Sequence, residues 1–273
     1  MNENQTIVVK LGGAEGVDFS SICQDAAFLL SEGKRLVIVH GGSNEANTLG
    51  EALSHPPIFI TSPSGYTSRY TDRKTLEIFA MAVNGKINTL LVEQLQLLQV
   101  NALGISGVDG KLLLAERKAS VRAIENGKQK IYKDDYTGKI ESVNTALLRA
   151  LLEAEYTPVV APLAVSHQGD ALNVDADRAA AMIAAALQAD TLILLTAAPG
   201  LMRNFPDETT IIKSIVLARI QEALDAAQGR MKKKILGAQE ALDGGARRVI
   251  IADGRTDQPI RRALAGEGTC INK

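Results

Sequence analysis

Lys10-Leu11-Gly12-Gly13 and His40-Gly41-Gly42 each close an apolar, β-branched run. Glycines placed there let bare backbone N–H groups approach a ligand, and a neighbouring lysine suits that ligand to being phosphate. One such turn alone is equally an ordinary strand-to-helix connection with a surface lysine. Two of them, ending successive strands, place paired anion-accepting turns side by side. Further along, Gln228-Gly229-Arg230-Met231-Lys232-Lys233-Lys234 opens a helical pattern. Lysines in a first turn oppose the helix dipole, a conflict that a bound polyphosphate would remove. Arg69 and Arg73 fall in the polar stretch 63–73, where guanidinium forks suit a carboxylate. Asp175 and Asp177 stand at the entrance to an alanine-rich helix and could each be no more than a cap. These residue types permit chemistry between a phosphate and a carboxylate.

The elements that must hold them read as alternating strands and helices. Ile7 to Val9 is a buried strand, and Phe19, Ile22, Cys23, Ala26, Leu29 and Leu30 fall on one helical face, with Asp18 as N-cap and Gly33 as stop. Arg35 to Val39 is the second strand, completing a right-handed βαβ unit with parallel strands. The stretch 63–73 reads as a turn-rich loop before the helical pattern Leu76, Phe79, Ala80, Val83, and a second amphipathic helix runs from Ile87 to Leu98. From Lys111 to Lys139 short alternating stretches flank Asn126-Gly127, a hairpin turn. A helix from about Glu141 to Glu155 and strands from Thr157, Thr191, Arg248 and Thr269 restore the alternation. The expected fold is α/β, a three-layer α/β/α open and mainly parallel sheet, with a β-hairpin excursion near 111–139.

At 273 residues with net charge −1, the chain can bury a full core, and whole-molecule electrostatics give no argument for nucleic acid or a membrane surface. Cys23 and Cys270 form no CxxC, so no zinc knuckle or thioredoxin-type site is expected. The first residues lack the pattern of a signal peptide and no apolar run reaches spanning length, so the expectation is a cytoplasmic protein. One local patch is basic. Lys111, Arg117, Lys118, Arg122, Lys128, Lys130, Lys133 and Lys139 outnumber Glu116, Glu125, Asp134 and Asp135, and a solvated face is the ordinary explanation of such a run.

The ordered set Lys10-Leu11-Gly12-Gly13, His40-Gly41-Gly42, Arg69 with Thr71-Asp72, Ser106-Gly107-Val108-Asp109-Gly110, Asn173-Val174-Asp175-Ala176-Asp177, Gly229-Arg230-Met231 with Lys234, and Asp253-Gly254-Arg255 resembles the amino acid kinase family, in its acetylglutamate kinase branch, over essentially the whole chain. Ser68-Arg69-Tyr70-Thr71-Asp72-Arg73, Ala115-Glu116-Arg117-Lys118 and Asp135-Tyr136-Thr137-Gly138 are similar, more narrowly, to kinases of 2-aminoadipate attached to a small acidic amino-group carrier protein in lysine biosynthesis. The resemblance implies ATP, with Mg²⁺ carried by the nucleotide and no metal cage in the protein. It implies that Lys10 and Lys234 neutralise the phosphoryl group in flight and that Asp177 orients them. Gly12, Gly13, Gly41 and Gly42 would supply backbone donors, Arg69 and Asn173 would hold the acceptor, and Arg117, Lys118, Lys128 and Lys130 would meet the carrier. It also implies an acceptor-binding lobe over 1–188 and a nucleotide-binding lobe over 189–273. Departures from the family pattern are Ser43 after His40-Gly41-Gly42, Ala197 in place of a nucleotide-side aspartate, and Arg230 between Gly229 and Met231. Only Met1 to Gln5 precede the first strand, where arginine-sensitive hexamers of the family carry an extra helix, so a homodimer without arginine inhibition is expected. The rival expectations are a free N-acetylglutamate kinase of arginine synthesis and a sensor that binds amino acid or nucleotide without turnover. Glutamate on the same carrier is a further possible substrate.

Overall fold

The computed structural model describes residues 5–12, 18–63, 65, 67–118, 120–125 and 128–273, without the side chains of Glu125, Lys128 and Arg230. Among them an eight-stranded sheet runs in the order Ser214–Val216, Thr269–Asn272, Arg248–Asp253, Thr191–Thr196, Thr6–Leu11, Arg35–His40, Thr157–Ala161, Ala102–Ser106. Thr6–Leu11 lies between two parallel partners, with Lys10 opposite Leu194 on one side and Val39 on the other. The pairing of Arg248–Asp253 with Thr269–Asn272 is antiparallel, so the sheet is mainly rather than wholly parallel.

Every residue of Thr6–Leu11 is buried, because a strand covered on both faces has no solvent side to make polar. Its side chains alternate between two cores. Val8, with Val37, Val39 and Leu194, packs on Ile183, Ala184, Ile235 and Ala238 of the helices Ala176–Leu187 and Arg230–Asp243. Ile7 and Val9, with Leu36, Ile38 and Ile193, pack on Ile22, Ala26 and Leu29 of the helix Phe19–Ser31. Helix, sheet and helix therefore form three layers. The sheet is continuous across residue 188, since Thr6–Leu11 pairs directly with Thr191–Thr196.

Three local expectations change. The stretch 63–73 is not all loop, because Thr67–Tyr70 is a strand paired antiparallel with Ile58–Thr61, Phe59 opposite Arg69. Its polar residues had concealed it, since Thr67 and Ser68 face solvent. The helix expected from about Glu141 begins later. Gly138–Val143 is a strand paired with Leu113–Arg117, and the helix Thr145–Glu153 follows, capped by the Asn144 side chain accepting from the Leu147 N–H. Strand pairing thus overrode the local helical period. The two helices expected after residue 73 join into one run, Arg73–Ala80 passing through a π-helical segment Met81–Asn88 into Thr89–Leu97. The excursion near 111–139 is present. Ser120–Glu125 pairs antiparallel with Lys128–Lys133, while the Asn126-Gly127 turn lies outside the described residues.

Candidate functional site

Lys10 stands one residue before the end of the central strand and Lys234 lies in the second turn of the helix Arg230–Asp243, and both ammonium groups converge on one carboxylate. Asp177 Oδ1 is 2.8 Å from Lys10 Nζ, and Asp177 Oδ2 is 2.8 Å from Lys234 Nζ. The two lysines are each only 7% exposed. Asp175 and Asp177 divide the roles that were open to both. Asp175 is the N-cap of Ala176–Leu187, accepting from the Arg178 N–H at 3.0 Å, and this frees Asp177, inside the first turn, for the lysines. The approach of the two helices depends on small side chains. A methyl group on Gly244, at the end of Arg230–Asp243, would stand 2.6 Å from Ala185 Cβ of the facing helix, and an ion pair between Arg178 and Glu240 joins the helices at their outer edge.

Burial alone would push the Asp177 carboxyl up, but the Lys10 and Lys234 charges outweigh it and hold the group well below the usual carboxylate range. Burial lowers the Lys234 ammonium from its ordinary value and Lys10 repels it further, against the attraction of Asp177. Within hydrogen-bonding reach the cluster holds two positive charges and one negative, so it carries a net charge of +1 in a partly dehydrated setting. An anion placed between the lysines would complete it.

Of the glycines, Gly13 lies outside the described residues. Gly12 is required sterically, because a Cβ there would stand 2.8 Å from the Leu195 carbonyl oxygen of the adjacent strand. Gly42 is the N-cap of the helix Ser43–Ala52, which has no side-chain cap, and a Cβ on it would come within 2.6 Å of Val83. The Gly41 N–H donates to the Leu11 carbonyl at 3.2 Å. Two neighbours of this turn had not been singled out for a role. His40, fully buried, lies 2.8 Å through Nδ1 from the Gly41 carbonyl oxygen and 3.0 Å through Nε2 from the Asn88 side-chain amide. The available signal was a histidine directly preceding the paired glycines, at a strand end where an exposed residue is commoner.

Arg69 is 8% exposed, and its guanidinium donates to the Ser43 carbonyl at 3.1 Å and to Asn47 Oδ1 at 2.6 Å while lying over the Phe59 ring. Both acceptors are neutral, so the buried charge has no carboxylate partner among the described contacts, and burial lowers its pKa. Asn173 is near this strand. Its side-chain amide donates to Thr71 Oγ1 at 3.0 Å. Buried Asp135 joins the parts, accepting from the Thr71 N–H at 3.2 Å and from the Thr137 N–H at 2.8 Å, and the Tyr136 N–H donates to the Thr71 carbonyl. Arg69, Thr71, Asn173 and the base of the hairpin excursion are therefore one hydrogen-bonded unit.

The four residues expected to meet a carrier do not share one environment. Arg117 is engaged internally, with Nε donating to the Asp135 carbonyl at 3.0 Å, an ion pair to Asp170 at 3.4 Å and the guanidinium 3.6 Å over the Tyr136 ring. These contacts brace the hairpin base. Lys130 folds back on Tyr132, the side chain of Lys128 lies outside the described residues, and Lys118 is exposed. The outward face of the hairpin pairs Arg122 with Ile131 and Ile124 with Gln129, and Lys133 stands opposite Ser120, all exposed. Among the described residues no group of three or more His, Cys, Asp or Glu could hold a metal ion, and no helix is long and apolar enough to cross a membrane.

Comparison with known proteins adds an independent line. The amino acid kinase family model matches residues 5–253. The chain is 54% identical over 266 residues to LysW-aminoadipate kinase of Deinococcus radiodurans, covering 97% of this chain and 91% of that one. It is 51% identical over 267 residues to LysW-aminoadipate kinase of Thermus thermophilus, covering 97% and 99%. Among solved structures it is similar to N-acetylglutamate synthase from Neisseria gonorrhoeae complexed with coenzyme A and N-acetyl-glutamate, with a TM-score of 0.81 and 27% identity, covering 99% of this chain and 60% of that one.

Proposed function

The chain belongs to the amino acid kinase family, and from that premise we propose that it transfers the γ-phosphoryl group of ATP to the side-chain carboxylate of 2-aminoadipate held on a small acidic amino-group carrier protein, a step of lysine biosynthesis. It is a phosphotransferase with a carboxyl group as acceptor. The observation that carries this is the Lys10–Asp177–Lys234 cluster, which sums to +1 at the carboxyl end of the central strands. Open α/β sheets bind ligands at that end.

The acceptor carboxylate is ionised at neutral pH and is its own nucleophile, so no general base is required. One carboxylate oxygen forms a bond to the γ-phosphorus as the bond from that phosphorus to the β–γ bridging oxygen breaks, and ADP leaves with that electron pair. The barrier lies in bringing two anions together and aligning them. Lys10 and Lys234 would cancel charge on the moving phosphoryl group, and Asp177 would hold both ammonium groups in place between turnovers. The Gly42 N–H and Gly12 turn would add backbone donors, and Arg69 with Asn173 would hold the acceptor, giving the 1–188 and 189–273 lobes their acceptor and nucleotide sides. Mg²⁺ would arrive with the nucleotide and supply further positive charge on its phosphates. For the carrier, the outward hairpin face around Lys118, Arg122 and Lys133 is the surface of complementary charge. A homodimer is the assembly proposed, to be checked by sedimentation.

The test is acyl-phosphate formation on carrier-bound aminoadipate, trapped as the hydroxamate. Lys10→Ala or Lys234→Ala should lower kcat at least about a hundredfold, the class of loss worth roughly 3 kcal/mol or more. Either single change leaves Asp177 one lysine partner, so folding should survive. Near-normal turnover in either variant would remove that lysine from the mechanism.

A further inference from the structure

We infer that His40 and Asn88 are positioning residues for the phosphoryl-transfer step: they lock the Gly41–Gly42 peptide plane so that the Gly42 N–H is presented to the transferring phosphoryl group. The inference rests on the kinase reading above and names residues that reading does not use.

Hydrogen-bond chemistry determines the tautomer. The Asn88 Nδ2 group lies 2.8 Å from the Val159 carbonyl oxygen and 3.0 Å from His40 Nε2. Only the amide nitrogen can serve both, because a flipped amide would face the Val159 carbonyl with an oxygen. His40 Nε2 must then accept, so the ring proton is on Nδ1, and Nδ1–H donates to the Gly41 carbonyl at 2.8 Å. A trans peptide points its C=O and the following N–H in opposite directions. Fixing the Gly41 oxygen against the ring therefore turns the Gly42 N–H away from it. The preceding peptide plane is fixed as well, by the Gly41 N–H donating to the Leu11 carbonyl. Each plane of the turn is thus held by its own hydrogen bond, and both holds lead back to the core.

The origin of Asn88 explains the unusual helix beside it. Asn88 closes the π-helical segment Met81–Asn88, and Val83 and Ile87 of the same segment crowd the Gly42 Cα so closely that a Cβ there would meet them at 2.6 and 2.8 Å. One extra residue per turn in this segment brings an amide onto His40 and two apolar side chains onto Gly42. π-helical insertions of this kind are concentrated at functional sites.

The experiment separates positioning from bulk packing by paired substitutions. In His40→Asn the amide NH₂ can take the place of Nδ1–H and keep the bond to the Gly41 carbonyl, while in His40→Gln the amide reaches the Nε2 position and that bond is lost. Both shrink a buried ring, and both are expected to lower the thermal midpoint. The positioning role predicts that kcat falls about tenfold or more in His40→Gln but within about threefold in His40→Asn, with KM for ATP little changed in either. Equal kcat losses in the two variants, following the loss of thermal stability, would overturn it. A second measurement needs no variant. In ¹⁵N-histidine spectra of the wild-type protein, which has three histidines, His40 should show a protonated Nδ1 and an unprotonated Nε2. An Nε2–H tautomer would overturn the assignment whatever the kinetics. Failure of the kinase reading itself is distinct, because wild-type protein would then form no acyl phosphate.

Discussion

Two ammonium groups on one buried carboxylate make Asp177 the residue on which the cluster's stability turns. Asp177→Asn would leave Lys10 and Lys234 facing each other without a counter-charge, and removing one member of such a group costs about 3 kcal/mol or more. The expected outcome is a lowered thermal midpoint in the free protein, with ATP raising it further in the variant than in the wild type because the nucleotide's phosphates replace the lost charge. An equal ATP-induced shift in both proteins would show that phosphate does not enter the cluster. His40 gives a prediction in pH. Burial, with a contribution from Lys10, depresses its folded pKa to about 4, and only the Gly41 carbonyl opposes this. In the unfolded chain the ring would titrate near its ordinary value of about 6.5. Between those values the unfolded state binds the extra proton, so the stability contributed by neutral His40 is complete above about pH 6.5 and is lost as pH falls towards 4. A slope of denaturation free energy over that window should be present in the wild type and diminished in His40→Asn. Equal slopes would place the titration elsewhere.

At the scale of elements, the glycine turns show how a steric demand and a chemical one coincide at a position. Gly12→Ala would drive a methyl group into the Leu195 carbonyl, which belongs to the neighbouring strand backbone and cannot rotate away. A cost of about 1–3 kcal/mol is expected, measurable by denaturant titration, before any effect on phosphate binding. A change of no more than about 0.5 kcal/mol would mean the strands can separate there. The glycines, the lysine near the end of the first strand and the βαβ succession were legible in the sequence because they follow from local chain geometry. The Thr67–Tyr70 strand was not, because its exposed face is polar and its partner Ile58–Thr61 precedes it by only a turn. Gly138–Val143 was also hidden, its strand character coming from Leu113–Arg117 more than twenty residues earlier. Arg117 marks the same limit. Its charge was visible in the sequence, while its engagement by Asp170, Tyr136 and the Asp135 carbonyl depends on pairing that periodicity does not encode. Arg117→Ala should therefore loosen the hairpin base, raising hydrogen exchange in the Gly138–Val143 and Thr67–Tyr70 amides together. Exchange unchanged at both strands would return Arg117 to the free surface.

At the scale of the whole molecule, the near-neutral net charge makes the distribution of charge matter more than its sum. The hairpin Ser120–Glu125 with Lys128–Lys133 joins the strand Thr67–Tyr70 through ring contact between Tyr70 and Tyr132, centroids 4.8 Å apart, and through the Tyr70 hydroxyl donating to the Lys133 carbonyl. Tyr70 directly follows Arg69, so these contacts connect the outward basic face to the proposed acceptor site. A free small acceptor would need Arg69 and its neighbours but would have no use for the exposed Lys118, Arg122 and Lys133. An acidic carrier would use them in its approach, since complementary charge accelerates encounter and salt weakens it, the Debye length shrinking from about 8 Å at physiological ionic strength to about 3 Å at 1 M. Reversing these three charges together, as Lys118→Glu, Arg122→Glu and Lys133→Glu, should raise KM for carrier-bound aminoadipate at least about tenfold at low salt, with kcat and KM for ATP little altered. The difference from wild type should narrow as salt rises, because the same attraction is removed by either route. If free N-acetylglutamate is turned over as efficiently as the carrier-bound substrate, and neither salt nor the three reversals matters, the basic face is a solvated surface and the acceptor is the free amino-acid derivative.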